Sequence, residues 1–200
     1  MSEQDARGPA TGPSSSADKH RDIARDQPVR VAVLTVSDSR TEANDSGGDL
    51  IRSLIHEAGH QTTTSRIVRD EPADVMALLT GDWADGAEVV LLTGGTGISN
   101  RDSTYEAVSA LLEKTLPGFG ELFRMLSFEE VGPAAMLSRA TAGTHRGRLV
   151  FSMPGSPNAV RLAMERLIVP ELPHLVWELV RHSIERMTQA HDLHAEDRLT

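Results

Sequence analysis

The chain has 200 residues, of which 39% are apolar, and it carries 29 carboxylates against 20 lysines and arginines, a net charge of −9. This size and composition predict one globular domain, and the acidic balance argues against the broad basic surface with which proteins bind nucleic acid. The absence of cysteine excludes disulfides, thiolate catalysis and zinc ribbons.

The two ends of the chain differ in composition from its middle. Residues 1–28 are rich in Ser, Gly, Pro, Asp and Arg, which predicts a disordered extension. They lack the apolar stretch of a signal peptide, and no later segment has the roughly 20 uninterrupted apolar residues of a membrane span. We therefore expect a cytoplasmic protein with one folded domain at 29–184 and a polar tail at 185–200.

The folded region begins with a strand, a polar loop and a helix. Residues 29–40 form an apolar run that ends in small polar residues, which is typical of a parallel strand buried on both faces. The polar segment 45–49 supplies helix-start residues, and apolar residues then recur at helical spacing until Gly59. A β-rich segment at 62–68 follows, and Pro72 opens a second helix.

The next predicted strand, residues 87–92, leads into the glycine-rich segment TGGTGISNRDST at 93–104. Its glycines allow a tight turn and present bare backbone N–H groups, which suit an anion. Ser103 and Glu106 form an S-x-x-E capping box, which predicts a helix whose positive dipole end faces the loop. The segment has neither a P-loop nor a dinucleotide fingerprint. An ordinary strand-to-helix turn that binds nothing is the competing interpretation.

The second half of the chain continues the alternation of strands and helices. Its last strand runs into Met153-Pro154-Gly155-Ser156-Pro157, a second tight turn with a helix start. Such alternation predicts an α/β fold with a mostly parallel sheet covered on both sides, in which ligands bind at the carboxyl ends of the strands. The predicted elements are helices at 104–112, 117–131, 158–168 and 170–184, and a hairpin with strands at 140–145 and 149–153.

Two aspartates are candidates for a metal site. Asp70 and Asp102 both follow predicted strands, so in a parallel sheet they share one rim. Two carboxylates there can hold Mg²⁺, which keeps several waters and bridges to phosphate oxygens. Each aspartate alone is equally well explained as a residue near a helix start. Arg101 either supplies positive charge to this site or pairs with an acid on the surface.

Six motifs in order carry a resemblance to a known family. They are VAVLTVSDSR, DSGGDL, VRDEP, TGGTGISNRDSTYEA, GFGELFRMLSFEEVGPAAMLSRATAG and MPGSPNAV, within a match that runs over residues 29–179. Together they resemble the molybdenum-cofactor proteins of the MogA/MoaB group, which is related to the G domains of gephyrin-type proteins. GFGELFRMLSFEEVG is closer to the MoaB branch, whereas TGGTGISNRDST keeps the Arg-Asp-x-Thr pattern expected of active adenylyltransferases.

The resemblance implies a three-layer αβα domain, assembled as a homotrimer or homohexamer. The implied reaction joins AMP from Mg-ATP to the terminal phosphate of molybdopterin and releases pyrophosphate, with Asp70 and Asp102 as the catalytic carboxylates, both assigned to Mg²⁺. The resemblance also implies contact residues for both substrates. The implied contacts to ATP are Ser37, Asp38, Asp45, Ser46, Gly47, Thr93, Gly94, Gly95, Thr96, Gly97, Arg101 and Thr104. The implied contacts on the pterin side are Ser127, Ser138, Ser152, Pro154, Gly155, Ser156 and Pro157.

Two alternatives belong to other functional classes. Some MoaB-branch proteins are thought to have lost the activity, so a non-catalytic molybdopterin-binding or scaffold protein of the same fold stays open. A nicotinamide-dependent oxidoreductase would need a dinucleotide fingerprint with an acidic residue about 20 positions further on, and the first strand-to-helix turn has none. We expect small-molecule substrates as partners, and neither nucleic acid nor a membrane.

Overall fold

The computed structural model describes residues 27–99 and 102–181 of the chain. Arg101, the tail predicted at 185–200 and all but the last two residues of the extension predicted at 1–28 lie outside this part. Strands and helices alternate along it, which confirms the predicted α/β fold. None of its helices has the length and apolar character needed to cross a membrane.

Six strands form one mostly parallel sheet. Their bounds are β1 (Arg30–Val36), β2 (Gln61–Val68), β3 (Val89–Gly94), β4 (Lys114–Thr115), β5 (Thr141–His145) and β6 (Arg148–Met153). The strand order is β2-β1-β3-β6-β5-β4, and the first four of these strands run parallel. β5 pairs antiparallel with β6 and with β4, so the predicted hairpin is confirmed. The short strand β4 was not predicted, because two residues carry no periodic pattern.

The helices agree with the predicted ones except near the end of the domain. Their bounds are α1 (Ser46–Glu57), α2 (Pro72–Thr80), α3 (Thr104–Leu111), α4 (Pro117–Val131), a 3₁₀ segment (Gly132–Leu137), α5 (Pro157–Ala163), a π-helical turn (Met164–Ile168) and α6 (residues 169–181).

The predicted break before Pro170 is wrong, because the chain stays helical from α5 through the π-helical turn into α6. Pro170 has no N–H, and in an α-helix its ring would crowd the carbonyl of Arg166 four residues earlier. A π-helical turn just before it, in which the Val169 N–H donates to the Met164 carbonyl, lets the chain pass this proline without ending the helix.

Helices cover the sheet on both faces. On β1, residues Val31 to Val36 are all buried, as expected for a strand packed on both sides. Alternate residues belong to two separate apolar clusters, which give the three layers of the domain. One cluster joins Val31, Val33, Val89, Leu91 and Phe151 to α1, α4, α5 and α6, and the other joins Ala32, Leu34, Val90, Leu92 and Val150 to α2 and α3.

We expect Ile55→Ala to lower the free energy of unfolding by about 2 to 5 kcal/mol, because it opens a cavity between α1 and the sheet. The Ile55 side chain is fully buried in the larger cluster. His56→Ala, at the next and exposed position of the same helix, is the matched control and should change stability by less than about 0.5 kcal/mol. Urea unfolding measures both. Equal effects would mean that α1 packs through another face.

Candidate active site

The carboxyl ends of β1 and β3 lie side by side where the strand order reverses, because β2 lies on one side of β1 and β3 on the other. Open α/β sheets bind ligands in the crevice at such a reversal. A small cavity of about 60 Å³ opens there. It brings together six predicted contact residues with three others, the full lining being Thr35, Val36, Ser37, Arg40, Asp45, Gly47, Thr93, Gly94 and Gly155.

Asp70 and Asp102 lie together beside the glycine-rich loop at residues 94–99. Asp70 Oδ1 accepts a hydrogen bond of 2.8 Å from the Thr104 hydroxyl, at the first residue of α3. Asp102 Oδ2 accepts one of 2.8 Å from the backbone N–H of Ser99. The two carboxyl groups are close enough for each to affect the pKa of the other. The loops that follow β2 and β3, 32 positions apart in the chain at residues 70 and 102, thus supply one acidic pair.

Glycine is required at the two loop positions that touch these carboxylates. Gly95 has φ of +63°, and a Cβ there would lie 2.7 Å from Thr104 Oγ1 and 3.0 Å from Asp70 Oδ1. A Cβ on Gly97 would lie 2.7 Å from Cγ of Asp102. Gly95 therefore excludes a side chain, and a side chain at Gly97 would displace the Asp102 carboxylate, so the bare backbone is what lets the acids approach the loop.

The two carboxylates have opposite electrostatic environments. Burial raises the pKa of Asp70, and the negative charges of Asp102 and Asp38 raise it further against the opposing hydrogen bond from Thr104. Asp38 is close because its carboxylate accepts the Asp70 backbone N–H at 3.3 Å. Hydrogen bonds from Ser99 hold the pKa of Asp102 below its usual range. Like charges gathered at one point create a demand for a cation.

This donor set fits Mg²⁺. Among the described residues, no group of three or more His, Asp or Glu forms a complete metal cage. Mg²⁺ does not require one, because it is usually held by one or two carboxylates together with waters and substrate phosphates. Asp70 and Asp102 match that requirement when a phosphate compound completes the coordination.

Asp45 has a structural role in addition to its place in the cavity wall. It is 1% exposed and caps α1, with Oδ1 accepting the Gly48 N–H at 3.0 Å. Oδ2 accepts the Thr35 hydroxyl at 2.9 Å and lies 3.8 Å from Arg52. Ser46 is the exposed first residue of the helix. Asp45 therefore ties the start of α1 to β1 and shapes the cavity.

The turn after β6 reaches the same rim from the other side. Gly155 lines the cavity, and the Thr93 hydroxyl donates to the Pro154 carbonyl at 3.3 Å. Ser156 caps α5 by accepting the Ala159 N–H, and Pro157 is the first residue of that helix. The turn is therefore fixed against β3 by the hydroxyl of Thr93 and at the start of α5 by its cap.

Two residues predicted on the pterin side are enclosed by the protein. Ser127 is 5% exposed on the packed face of α4, and Ser152 is fully buried in β6. The Ser152 hydroxyl has no hydrogen-bond partner among the described residues. The Ser152 side chain therefore has no exposed surface in this conformation, and its role on the pterin side stays a prediction. Ser138, by contrast, is partly exposed at the end of the 3₁₀ segment.

The predicted capping box at the start of α3 does not form, and the reason is an arginine that sequence reasoning missed. Ser103 is the N-cap residue, yet its side chain makes no capping hydrogen bond to the helix. The Glu106 carboxylate instead pairs with Arg139. Arg139 also donates to the Thr96 carbonyl at 3.0 Å and to the Gly97 carbonyl. Its only sequence signal was its place beside Ser138 in the motif MLSRATAG.

Comparison with known proteins finds several relatives in the family that the sequence motifs resemble. Residues 32–174 match the model of a family described as a probable molybdopterin binding domain. Molybdenum cofactor biosynthesis protein B of Bacillus cereus is 54% identical over 155 residues, which cover 76% of this chain and 92% of that protein. A crystal structure of a molybdenum cofactor biosynthesis protein B is 53% identical, with a TM-score of 0.74 over 78% of this chain and 98% of that one.

A third relative is the tungsten cofactor synthesizing protein MoaB from Pyrococcus furiosus, whose structure is 40% identical, with a TM-score of 0.69 over 76% of this chain and 98% of that one. The motifs that carried the resemblance thus lie in a fold shared with these proteins, and most of them meet at one rim of the sheet. The chain belongs to the MogA/MoaB family of molybdenum cofactor biosynthesis proteins, in its MoaB branch.

Proposed function

We propose that this protein acts in molybdenum cofactor biosynthesis by adenylylating molybdopterin. An oxygen of the terminal phosphate of molybdopterin attacks the α-phosphorus of ATP, the bond from that phosphorus to the bridging oxygen breaks, and pyrophosphate leaves. The observation that carries the proposal is the pairing of Asp70 with Asp102 against the glycine-rich loop. The names of the relatives support the pathway, and the family description supports binding of the pterin.

The chemistry needs positioning and neutralisation of charge more than a reactive side chain. Bringing one phosphate to another concentrates negative charge, so catalysis rests on groups that hold the reactants in line and offset that charge. By analogy with other phosphoryl transfers, no covalent protein intermediate is required. Asp70 and Asp102 would hold Mg²⁺, which when bound offsets the charge of the phosphate oxygens.

The remaining roles follow from where each group lies. Backbone N–H groups of the loop bind phosphate oxygens of ATP, and the dipole of α3, which begins at Thr104, favours negative charge at the same place. Thr104 fixes the orientation of the Asp70 carboxylate through its hydrogen bond. The pterin phosphate approaches from the side of Gly155 and Ser138, so both substrates meet at the carboxylates.

We assign the nucleoside of ATP to a larger cavity. It has a volume of about 580 Å³, within the usual range of small-molecule sites, and it adjoins the small cavity at Asp45. Its other lining residues are Glu42, Arg52, Ser65, Arg66 and Ile67.

The assay that tests this function combines the purified full-length chain, Mg-ATP and molybdopterin. We expect stoichiometric pyrophosphate and adenylylated molybdopterin, and no pyrophosphate when molybdopterin is omitted. If folded protein binds molybdopterin but releases no pyrophosphate, the non-catalytic binding protein of the same fold is the correct function.

We expect Asp102→Asn to lower turnover by about 10²-fold or more with little change in thermal midpoint, because it removes a site charge and leaves the core intact. Asp85→Asn is the matched control, since Asp85 pairs with Arg148 before β3, at the opposite end of the sheet from the loop. Steady-state rates and thermal unfolding of both variants check this. Unchanged turnover in Asp102→Asn would mean that Asp102 has no catalytic role and only stabilises the start of α3.

We expect Asp70→Asn to be more stable than the wild type at neutral pH. Because folding raises the pKa of Asp70, its ionised form is disfavoured in the folded state, and asparagine removes that charge. As the pH falls through the raised pKa, wild-type Asp70 binds a proton and its folded state gains stability. The advantage of the variant should therefore shrink towards about pH 4, the usual aspartate range. Urea midpoints across this interval measure it, and a difference independent of pH would contradict the assignment.

We also propose that the chain assembles as a homotrimer or homohexamer. Large apolar side chains are exposed on α4 and the 3₁₀ segment, and such surfaces usually mark interfaces. Light scattering should report a trimer or hexamer, and Phe128→Asp should dissociate it, whereas Glu129→Gln at the neighbouring exposed position should not. A wild-type monomer at micromolar concentration would disprove the assembly. The exposed side chains are Leu122, Met125, Phe128, Val131, Met136 and Leu137.

A further inference from the structure

We propose that Arg139 is a positioning residue of this site, which holds the carbonyl side of the glycine-rich loop so that the loop N–H groups face the bound phosphates. The inference rests on the proposed function for the identity of the anion. The contacts of Arg139 themselves are features of the structure and involve no ligand.

The guanidinium of Arg139 connects three parts of the site. Nε donates to the Thr96 carbonyl at 3.0 Å, and Nη2 donates to the Gly97 carbonyl and, at 3.4 Å, to the Asp102 carbonyl. Glu106 accepts from Nη1 and Nη2. The charged group also lies 4.7 Å from the centre of the Tyr105 ring. Most of its hydrogen-bonding capacity is therefore used within the protein, which identifies Arg139 as a residue that orders the loop.

The contacts of Arg139 with the loop carbonyls also determine which way the loop N–H groups point. In a trans peptide the carbonyl and the following N–H point to opposite sides, and the described part of the chain contains no cis peptide. The carbonyls of Thr96 and Gly97 point to Arg139, and the Gly95 carbonyl accepts the Tyr105 N–H at 3.3 Å. The N–H groups of the next residues, 96 to 98, are therefore directed away from Arg139 and α3, as an anion-binding loop requires.

Lysine could not perform this task. A guanidinium presents five N–H donors in a rigid planar fork, whereas an ammonium is a point charge on a flexible stem. The Arg139 side chain is only 22% exposed, so its geometry is set by the surrounding protein. Its neighbour Ser138 was predicted on the pterin side. The order of the nucleotide loop thus depends on a residue of the segment that approaches the other substrate.

The test uses full-length Arg139→Lys, with Arg148→Lys as the matched control. Arg148 also forms a partly shielded ion pair, with Asp85, and makes no contact with the loop. Amide hydrogen exchange of residues 94–99 should speed up about tenfold or more in Arg139→Lys, with little change in the control or in either thermal midpoint. The Mg-ATP dissociation constant should rise about tenfold, which corresponds to about 1.4 kcal/mol of lost binding.

Two further variants separate positioning from a general loss of structure. Glu106→Gln removes the ion pair but keeps the donors to the loop carbonyls, so its loop exchange should stay close to that of the wild type. In Arg139→Ala, millimolar guanidinium should restore loop protection and Mg-ATP affinity, whereas the same concentration of ammonium should not. In steady state, the KM for Mg-ATP should rise more than the KM for molybdopterin.

The inference is overturned if the loop amides of Arg139→Lys exchange at the wild-type rate, or if they exchange as fast in Arg148→Lys as in Arg139→Lys. These measurements are independent of turnover. If the wild type releases no pyrophosphate while Arg139→Lys still loosens the loop, the adenylyltransferase proposal fails and the positioning role stands. If the wild type is active and Arg139→Lys leaves loop exchange unchanged, the adenylyltransferase proposal stands and the positioning role of Arg139 fails.

Discussion

The close approach of two like-charged carboxylates to a bare backbone is the constraint on which the site depends. Asp70 and Asp102 reach the loop only because Gly95 and Gly97 have no side chains. The carboxylates repel each other, so the surrounding structure must hold them in place. It does so through the Thr104 hydroxyl on one acid and the Ser99 N–H on the other.

Holding these charges together lowers the stability of the folded protein. The raised pKa of Asp70 means that its ionised form is less favourable in the folded protein than in water. The rest of the rim compensates with satisfied polar contacts, such as the buried Asp45 cap, and with strands buried on both faces. Functional sites commonly hold such unfavourable groups on a well-packed scaffold.

Local patterns in the sequence predicted most of the fold, and they failed where distant residues compete. Apolar periodicity and turn residues were sufficient for the β5–β6 hairpin and for α1, because neighbours in the chain determine both. The capping box at Ser103 failed because Glu106 pairs with Arg139, 33 positions later. The predicted helix break before Pro170 is wrong because the prediction assumes α-helical geometry, whereas a π-helical turn precedes this proline.

The site, like the fold, could be predicted where local patterns determine it and not where distant residues do. Two acids and a glycine loop on one rim could be predicted from strand ends alone. The burial of a single side chain could not be predicted in this way, and Ser152, which the resemblance assigns to the pterin side, is fully buried here. Arg139 carries no recognisable local pattern, since its partners lie in another part of the chain.

The pairing of β3 with β6 has a consequence for synthesis on the ribosome. β3 is complete at residue 94, but its neighbour on one side is the strand that ends at 153, and the cavity wall closes only with Gly155. Until then one edge of β3 exposes unpaired backbone groups, a surface on which strands of other chains can add. The nascent chain can therefore close this cavity only after Gly155 has been synthesised, and a fragment that ends earlier would expose the unpaired edge of β3 to association with other chains.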